Sequence, residues 1–333
     1  MASKPVINRL RRLGLAALPA LLCGAFATTA SASDKWPDRP IRLIVNFAPG
    51  GAADVMGRAI SPTMSQVLGQ SVVVDNKPGA NGNIGIGETV RSAKDGYTLL
   101  LSSGGGISIN PLIYSKLPFN PEKDLIPVAA VARVHVFLET NPSLPVSNVQ
   151  DFIKHLQANP GKLSYGSPGP GSSPHLAGEM FKRAARVDAS HIPYKGAGPA
   201  LTDVLSGQLQ YWFDPGPGLK QVEAGKLKLL AIGSPQRSPL YPKVPTLAES
   251  GLPGFDADTL FGIYAPTGTP APVVEAVRAA VLKALEQKNV IEVLQGLGST
   301  PEPRMSRQDF VDHHAKERAR FAPLIKEIGL KVD

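Results

Sequence analysis

Serine, histidine and acidic side chains recur at several points of this sequence, and these residue types can do chemistry. A serine hydrolase would pair Ser102, Ser103 or Ser172 with His175 or His191. The nucleophile-elbow pattern GxSxG is missing, since Tyr165-Gly166-Ser167-Pro168-Gly169 lacks the first glycine. His175 and Glu179 stand four apart on an expected helix, a spacing that suits a metal pair, yet no third ligand follows at a useful distance. No metal is therefore expected. His313 and His314 point to different sides of a helix and read as part of a solvated face. There is no GxxxxGK[ST] phosphate loop, and the glycines from 79 to 87 miss the GxGxxG spacing, so no cofactor is expected.

The sequence repeats instead a junction of strand, glycine turn and helix. Gly50-Gly51-Ala52, Gly79-Ala80-Asn81-Gly82, Gly171-Ser172-Ser173 and Gly196-Ala197-Gly198 each fall between an extended run and a helix start. A helix start carries unpaired N–H groups and partial positive charge. Glycine allows backbone to approach a ligand closely. Facing pairs of such turns would surround an anion with backbone donors, without arginine or metal. Any one of them alone is ordinary α/β punctuation, and Ser172 or Ser173 alone is a local N-cap.

The elements that must position these turns alternate regularly. Extended runs at 41–45, 71–75 and 97–101 are separated by helical patterns at 54–68 and 84–93. A second set of runs at 163–166, 191–194, 209–213 and 228–232 alternates with helices at 152–157, 174–185 and 198–205. Two longer extended runs, 128–140 and 255–265, read as crossovers between the sets, and helices at 273–287 and 309–328 close the chain. The expected fold is α/β: two lobes joined by two crossover strands, with a ligand cleft between them near the strand carboxyl ends. The expected division is 1–32 leader, 33–133 plus 262–333 first lobe, and 134–261 second lobe.

The leader reading rests on Lys4, Arg9, Arg11 and Arg12, an apolar stretch from Leu13 to Ala27, and Ala30-x-Ala32 as a small-residue cleavage site. Its removal near Ala32 takes away Cys23, the only cysteine in the sequence, and with it any disulfide or thiolate chemistry. Lipidation of Cys23 is disfavoured by Leu22 before it. The whole chain carries 35 basic and 27 acidic residues, so loss of the four leader cations reduces the net charge from +8 to +4. No basic–aromatic cluster suggests nucleic acid.

Trp36-Pro37 followed by Phe47-Ala48-Pro49-Gly50-Gly51-Ala52-Ala53-Asp54 resembles the opening of the Bug family, the substrate-binding proteins of tripartite tricarboxylate transporters. Asn76-Lys77-Pro78-Gly79-Ala80-Asn81-Gly82, Asp95-Gly96-Tyr97-Thr98-Leu99, His191-Ile192-Pro193-Tyr194-Lys195-Gly196, and Ala265-Pro266-Thr267-Gly268-Thr269-Pro270 continue the likeness along essentially the whole mature chain. The resemblance implies a type II periplasmic-binding-protein fold, a location in the periplasm and a carboxylate held by the 47–54 loop. It also implies hinge closure and integral membrane transporter subunits as partners of a monomeric receptor without catalysis. A ligand-sensing receptor for a signalling partner and an exported serine hydrolase stand as the alternatives. The expected ligand-binding residues are Phe47, Ala48, Gly50, Gly51, Ala52, Asp54, Asn81, Gly82, Ser102 and Ser103 on the first lobe. On the second they are Gly166, Ser167, Ser172, His175, Lys195, Gly196 and Asp214.

Family members often carry Ser-Thr where this chain has Ala52-Ala53, and Trp where it has Phe261. Tyr211, Trp212 and Phe213 place aromatics beside Asp214. Together these departures lead to the expectation of a less polar acid, aromatic or dicarboxylic, rather than a citrate-like tricarboxylate.

Overall fold

The computed structural model describes residues 36–332; the expected leader, Cys23 included, lies outside them. Among the described residues, three short parallel strands come first: β1 (Ile41–Val45), β2 (Val72–Asn76) and β3 (Thr98–Ser103), joined by α1 (Ala52–Leu68) and α2 (Asn83–Arg91). β1 is apolar at four of its five positions and buried almost throughout, as a parallel strand covered on both faces must be. α1 stops where Gly69 turns left-handed (φ 73°) and its N–H returns to the Ser65 carbonyl. After β3 come a π-helical turn, Gly105–Ile109, and the short helices α3 (Asn110–Ile113) and α4 (Pro121–Asp124).

The chain then runs through β4 (Leu125–Val134) and crosses into a second sheet at β5 (Phe137–Thr140). There follow α5 (Val149–Ala158), β6 (Ser164–Ser167), α6 (Ser173–Ala185), β7 (Ser190–Pro193) and α7 (Ala197–Ser206). β8 (Tyr211–Asp214), α8 (Leu219–Glu223) and β9 (Lys228–Ile232) complete this region. The return brings β10 (Thr259–Pro266), α9 (Ala271–Leu285), α10 (Lys288–Gly296), β11 (Thr300–Pro301) and α11 (Arg307–Glu327).

The sheet orders are β11-β4-β10-β3-β1-β2 and β7-β6-β8-β5-β9. Each sheet is packed between helices, giving the two α/β lobes expected. In the first, Ile60 and Met64 of α1 and Val277 and Val281 of α9 cover one face, while Ile86 of α2 and Phe310 of α11 cover the other. In the second, Phe152 of α5 and Phe181 of α6 pack on Tyr211 and Phe213, and Ala200 and Val204 of α7 pack on Trp212. No helix among the described residues is long and apolar enough to cross a membrane.

The two long extended runs differ from expectation in detail. Instead of bridging freely, β4 and β10 lie side by side as antiparallel neighbours within the first sheet, from Leu125↔Pro266 to Val134↔Thr259. The actual crossings are the few residues beyond them. There His135 Nδ1 stands 3.0 Å from Asp258 Oδ1, and His135 Nε2 stands 3.1 Å from Thr300 Oγ1. The expectation for His314 is corrected: it is buried, and its Nε2 lies 2.8 Å from the Tyr264 hydroxyl. Phe310, His314, Glu317 and Phe321 form the inward stripe of α11, and Glu317 accepts from Ser108 and Thr259 hydroxyls.

Candidate functional site

Three helices begin at one small cavity of about 30 Å³ between the lobes. Gly51, Ala52 and Ala53 bring the start of α1, Ser172, Ser173 and Pro174 that of α6, and Ala197 that of α7. Ser103 from the end of β3 and Pro215 just after β8 join them, and Phe47, Phe261 and Pro168 complete the wall. Among the described residues, no Lys, Arg, Asp or Glu lines this cavity. Each helix start contributes roughly half a positive charge, so the walls offer an anion dipoles and hydroxyls within an apolar enclosure.

A neighbouring cavity of about 250 Å³ shares Phe47 and Pro168 with the first. Asn81, Gly82, Lys195, Tyr114 and Tyr194 line it, so polar groups stand in a cavity that adjoins the first at Phe47 and Pro168. Gly50 faces a separate groove with Gly216 and Pro217.

Several predicted residues build these walls rather than line them. Asp54 accepts from Gly50 N–H and from Arg58 Nε, each at 3.0 Å, and so pins the first turn. Burial alone would raise its pKa, but these hydrogen bonds outweigh burial and hold the carboxylate below its usual range. Ser102 is buried and accepts from Asn46 Nδ2 at 2.9 Å. Ala48 and Gly196 meet across the lobes: a β-carbon on Gly196 would lie 2.8 Å from the Ala48 β-carbon. Gly166 packs under Leu209, which a β-carbon there would approach to 2.6 Å.

The turn after β6 is supported by two histidines. Ser167 Oγ lies 2.6 Å from His191 Nε2 and accepts from Gly169 N–H, while His175 Nδ1 accepts from Gly171 N–H at 2.9 Å. The two imidazoles stack with centroids 3.9 Å apart. Burial pushes His175 down to about 4 and His191 down to about 3, so both are neutral supports. Ser172 donates to the Gly169 carbonyl and caps α6. Glu179, once a candidate metal partner of His175, accepts from the Tyr165 hydroxyl and Lys182.

Asp214 departs most from expectation. It is fully buried, accepts from Gly218 N–H at 2.8 Å, and faces neither cavity. Tyr211, Trp212 and Phe213 are also fully buried in the two cores of the second lobe. The aromatic trio therefore packs the protein and leaves Phe47 and Phe261 as the aromatic walls of the smaller cavity.

Sequence reasoning missed Pro168, Pro174 and Pro215 there, and Tyr114 and Tyr194 in the larger cavity. Pro215 and Pro168 directly follow strand ends, the position from which α/β sheets present ligand contacts. The asparagines that shape the second turn were missed too: Asn110 Nδ2 donates to Asn83 Oδ1 at 2.6 Å, and Asn81 Nδ2 to Asn110 Oδ1 at 2.7 Å.

Two α/β lobes with helix starts converging on the gap between them define a solute receptor of the periplasmic-binding-protein class. Residues 56–330 match the tripartite tricarboxylate transporter family receptor, and the chain belongs to that family of solute-binding receptors. It is 37% identical to Protein BugT of Bordetella pertussis over 319 residues, covering 93% of this chain and 97% of BugT. The solved periplasmic binding protein BugD superposes with a TM-score of 0.85 at 32% identity, over 89% of this chain and 99% of BugD. Rpa4515 of R. palustris, solved with adipate, gives a TM-score of 0.85 at 34% identity, over 89% of this chain and 99% of Rpa4515.

Proposed function

We propose that this receptor captures a small organic acid outside the cytoplasmic membrane and delivers it, lobes closed, to membrane subunits of a tripartite tricarboxylate-type transporter. The observation that carries the proposal is the meeting of the α1, α6 and α7 starts at one cavity that no charged side chain of the described residues lines. A carboxylate fits that site because backbone donors and helix dipoles favour an anion there. Phe47, Phe261 and the prolines favour an apolar body behind the carboxylate. Asn81 and Lys195 in the adjoining cavity suit a second polar end. An acyclic dicarboxylate is therefore the preferred ligand, ahead of an aromatic acid and of citrate; adipate in Rpa4515 supports the choice.

In this reading the chain does no bond chemistry. The hydroxyls of Ser167 and Ser172 and the rings of His175 and His191 are engaged in holding a turn. The receptor acts as a monomer, without nucleic acid, after cleavage of its leader near Ala32. In this reading the lobes meet in the residues that follow Val134 and precede Thr259, where β4 ends and β10 begins.

A thermal-shift panel of adipate, malate, citrate and benzoate tests the proposal. Ligand at a hundredfold excess over Kd stabilises by about 2.7 kcal/mol, and adipate is expected to give the largest shift. Stabilisation by citrate with none by adipate or benzoate would overturn the ligand class.

A further inference from the structure

Glu139 and Asp214 are both fully buried in the second lobe, and among the described residues neither takes part in an ion pair. In the antiparallel β5–β8 register Phe137 is opposite Asp214 and Glu139 is opposite Trp212, so all four side chains share one face. Trp212 Nε1 donates to Glu139 Oε2 at 2.8 Å, and Gly218 N–H donates to Asp214 Oδ2 at 2.8 Å. A β-carbon on Gly218 would stand 2.3 Å from the first oxygen and 2.9 Å from the second, so both crowd one spot. Glu139 Oε1 and Asp214 Oδ1 are buried with no hydrogen-bond donor among the described residues. Two such carboxylates without a cation cannot both stay ionised.

The pair underlies a loop that touches both the ligand cavity and the other lobe. Pro215 lines the smaller cavity. Gly216, at φ 122°, passes so close to the first lobe that a β-carbon would lie 2.2 Å from the Leu297 carbonyl oxygen. Gly298 likewise abuts the Phe137 ring and Leu219.

Other titratable groups nearby are tied up or face outward. Tyr241 packs edge-on against Phe137, its hydroxyl 3.1 Å from Glu223 Oε1. Lys228 on β9 donates to the Leu144 and Val146 carbonyls. Lys220 of α8 and Glu292 of α10 line the outer groove.

We propose that Glu139 and Asp214 are positioning residues that share one proton and hold loop 215–218 in its closed form, so that ligand capture is coupled to retention of that proton. This rests on the reading of the interlobe cavity as a carboxylate site. Burial, with the Asp214 charge adding to it, pushes Glu139 well above the usual carboxylate range. Burial likewise pushes Asp214 up to about 7, against the opposing pull of the Gly216 and Gly218 N–H donors. When the lobes part, Leu297 leaves Gly216, the loop admits water and the proton is released more readily. Affinity then falls as pH rises through neutrality, by up to about tenfold per pH unit for one proton.

Trp212, one of two tryptophans in the sequence, is a built-in reporter. In the ligand-free receptor its indole N–H resonance, assigned with Trp36→Phe, is expected to titrate together with the Gly216 and Gly218 amides near neutral pH. Glu139→Gln, which carries a permanent donor in place of the proton, is expected to abolish that titration. In a second arm, adipate Kd is measured against pH. The wild type is expected to weaken with rising pH, and Glu139→Gln to keep its low-pH affinity throughout.

A flat indole resonance, or one still titrating in both Glu139→Gln and Asp214→Asn, overturns the shared proton. A titrating indole with a flat wild-type Kd profile overturns the coupling. Absence of adipate binding at every pH would count against the adipate reading alone. The loop amides would then decide the proposal, with titration in step with the indole supporting it and independence refuting it.

Discussion

Replacing Gly196 by alanine should separate closure from folding. The new β-carbon would sit 2.8 Å from the Ala48 β-carbon, 3.4 Å from its nitrogen and 3.5 Å from its α-carbon. Ordinary carbon–carbon contact lies near 3.5–4.0 Å, so one backbone must retreat by about 1 Å, with no flexible side-chain end to absorb the shift. Overpacking of this kind costs about 1–3 kcal/mol, equivalent to a Kd weakened by about 5- to 150-fold. Because the clash exists only between lobes, the ligand-free receptor should lose about 1 kcal/mol at most, through a poorer cap on α7.

Calorimetric titration with adipate, or with the panel acid that gives the largest thermal shift, reads the first quantity. A ligand-free melt reads the second. Gly296→Ala, where a β-carbon would meet nothing within 4 Å, serves as the control. Wild-type affinity in Gly196→Ala would refute closure through the Ala48–Gly196 contact.

Three further outcomes are expected. Ala52→Ser combined with Ala53→Thr adds two hydroxyls to the cavity wall; at about 1 kcal/mol for a hydrogen bond, malate should gain about fivefold over adipate, and an unchanged ratio would count against these positions as ligand contacts. Asp54→Asn should weaken acid binding without touching the ligand, since it loosens the Gly50 turn; loss of charged hydrogen bonds costs about 1.5–3 kcal/mol, and titration calorimetry beside a melt checks the effect. His191 has its folded pKa lowered from 6.5 to about 3 by burial and its cationic neighbourhood, so the unfolded chain binds the extra proton in acid. Stability of the wild type relative to His191→Gln should therefore decline as pH falls from 6.5 toward 3. A difference that is constant with pH in denaturant melts would rule this out.

The α/β alternation was legible because glycines punctuate it: Gly69 ends α1, and Gly51 and Gly196 stand at helix starts, where local chemistry and fold agree. The convergence of helix starts was also legible as a pattern, although only the first, third and fourth turns share the smaller cavity. Asp214 was misread because its environment is non-local. Its partner, Glu139, is brought beside it by β5–β8 pairing, and no short-range spacing announces a buried acid pair. His314 failed for a different reason. The apolar residues at 310 and 321 mark an inward stripe that includes it, but adjacent histidines on a charged helix obscured that stripe. Loop prolines such as Pro215 carry no chemical signal of their own; they become wall residues only through where a strand happens to end.

The side-by-side course of β4 and β10 has a consequence for how occupancy is communicated. Both passages between lobes leave the first sheet from neighbouring strand ends, and His135 and Asp258 link them at the point of departure. Two flexible connections far apart would let the second lobe twist and slide into many partial postures. Two connections bound together act like the pins of one door hinge and leave a single rotation. A membrane partner that inspects the outer surface would then meet a door either open or shut, and the arrival of one small molecule would be read as a yes-or-no message.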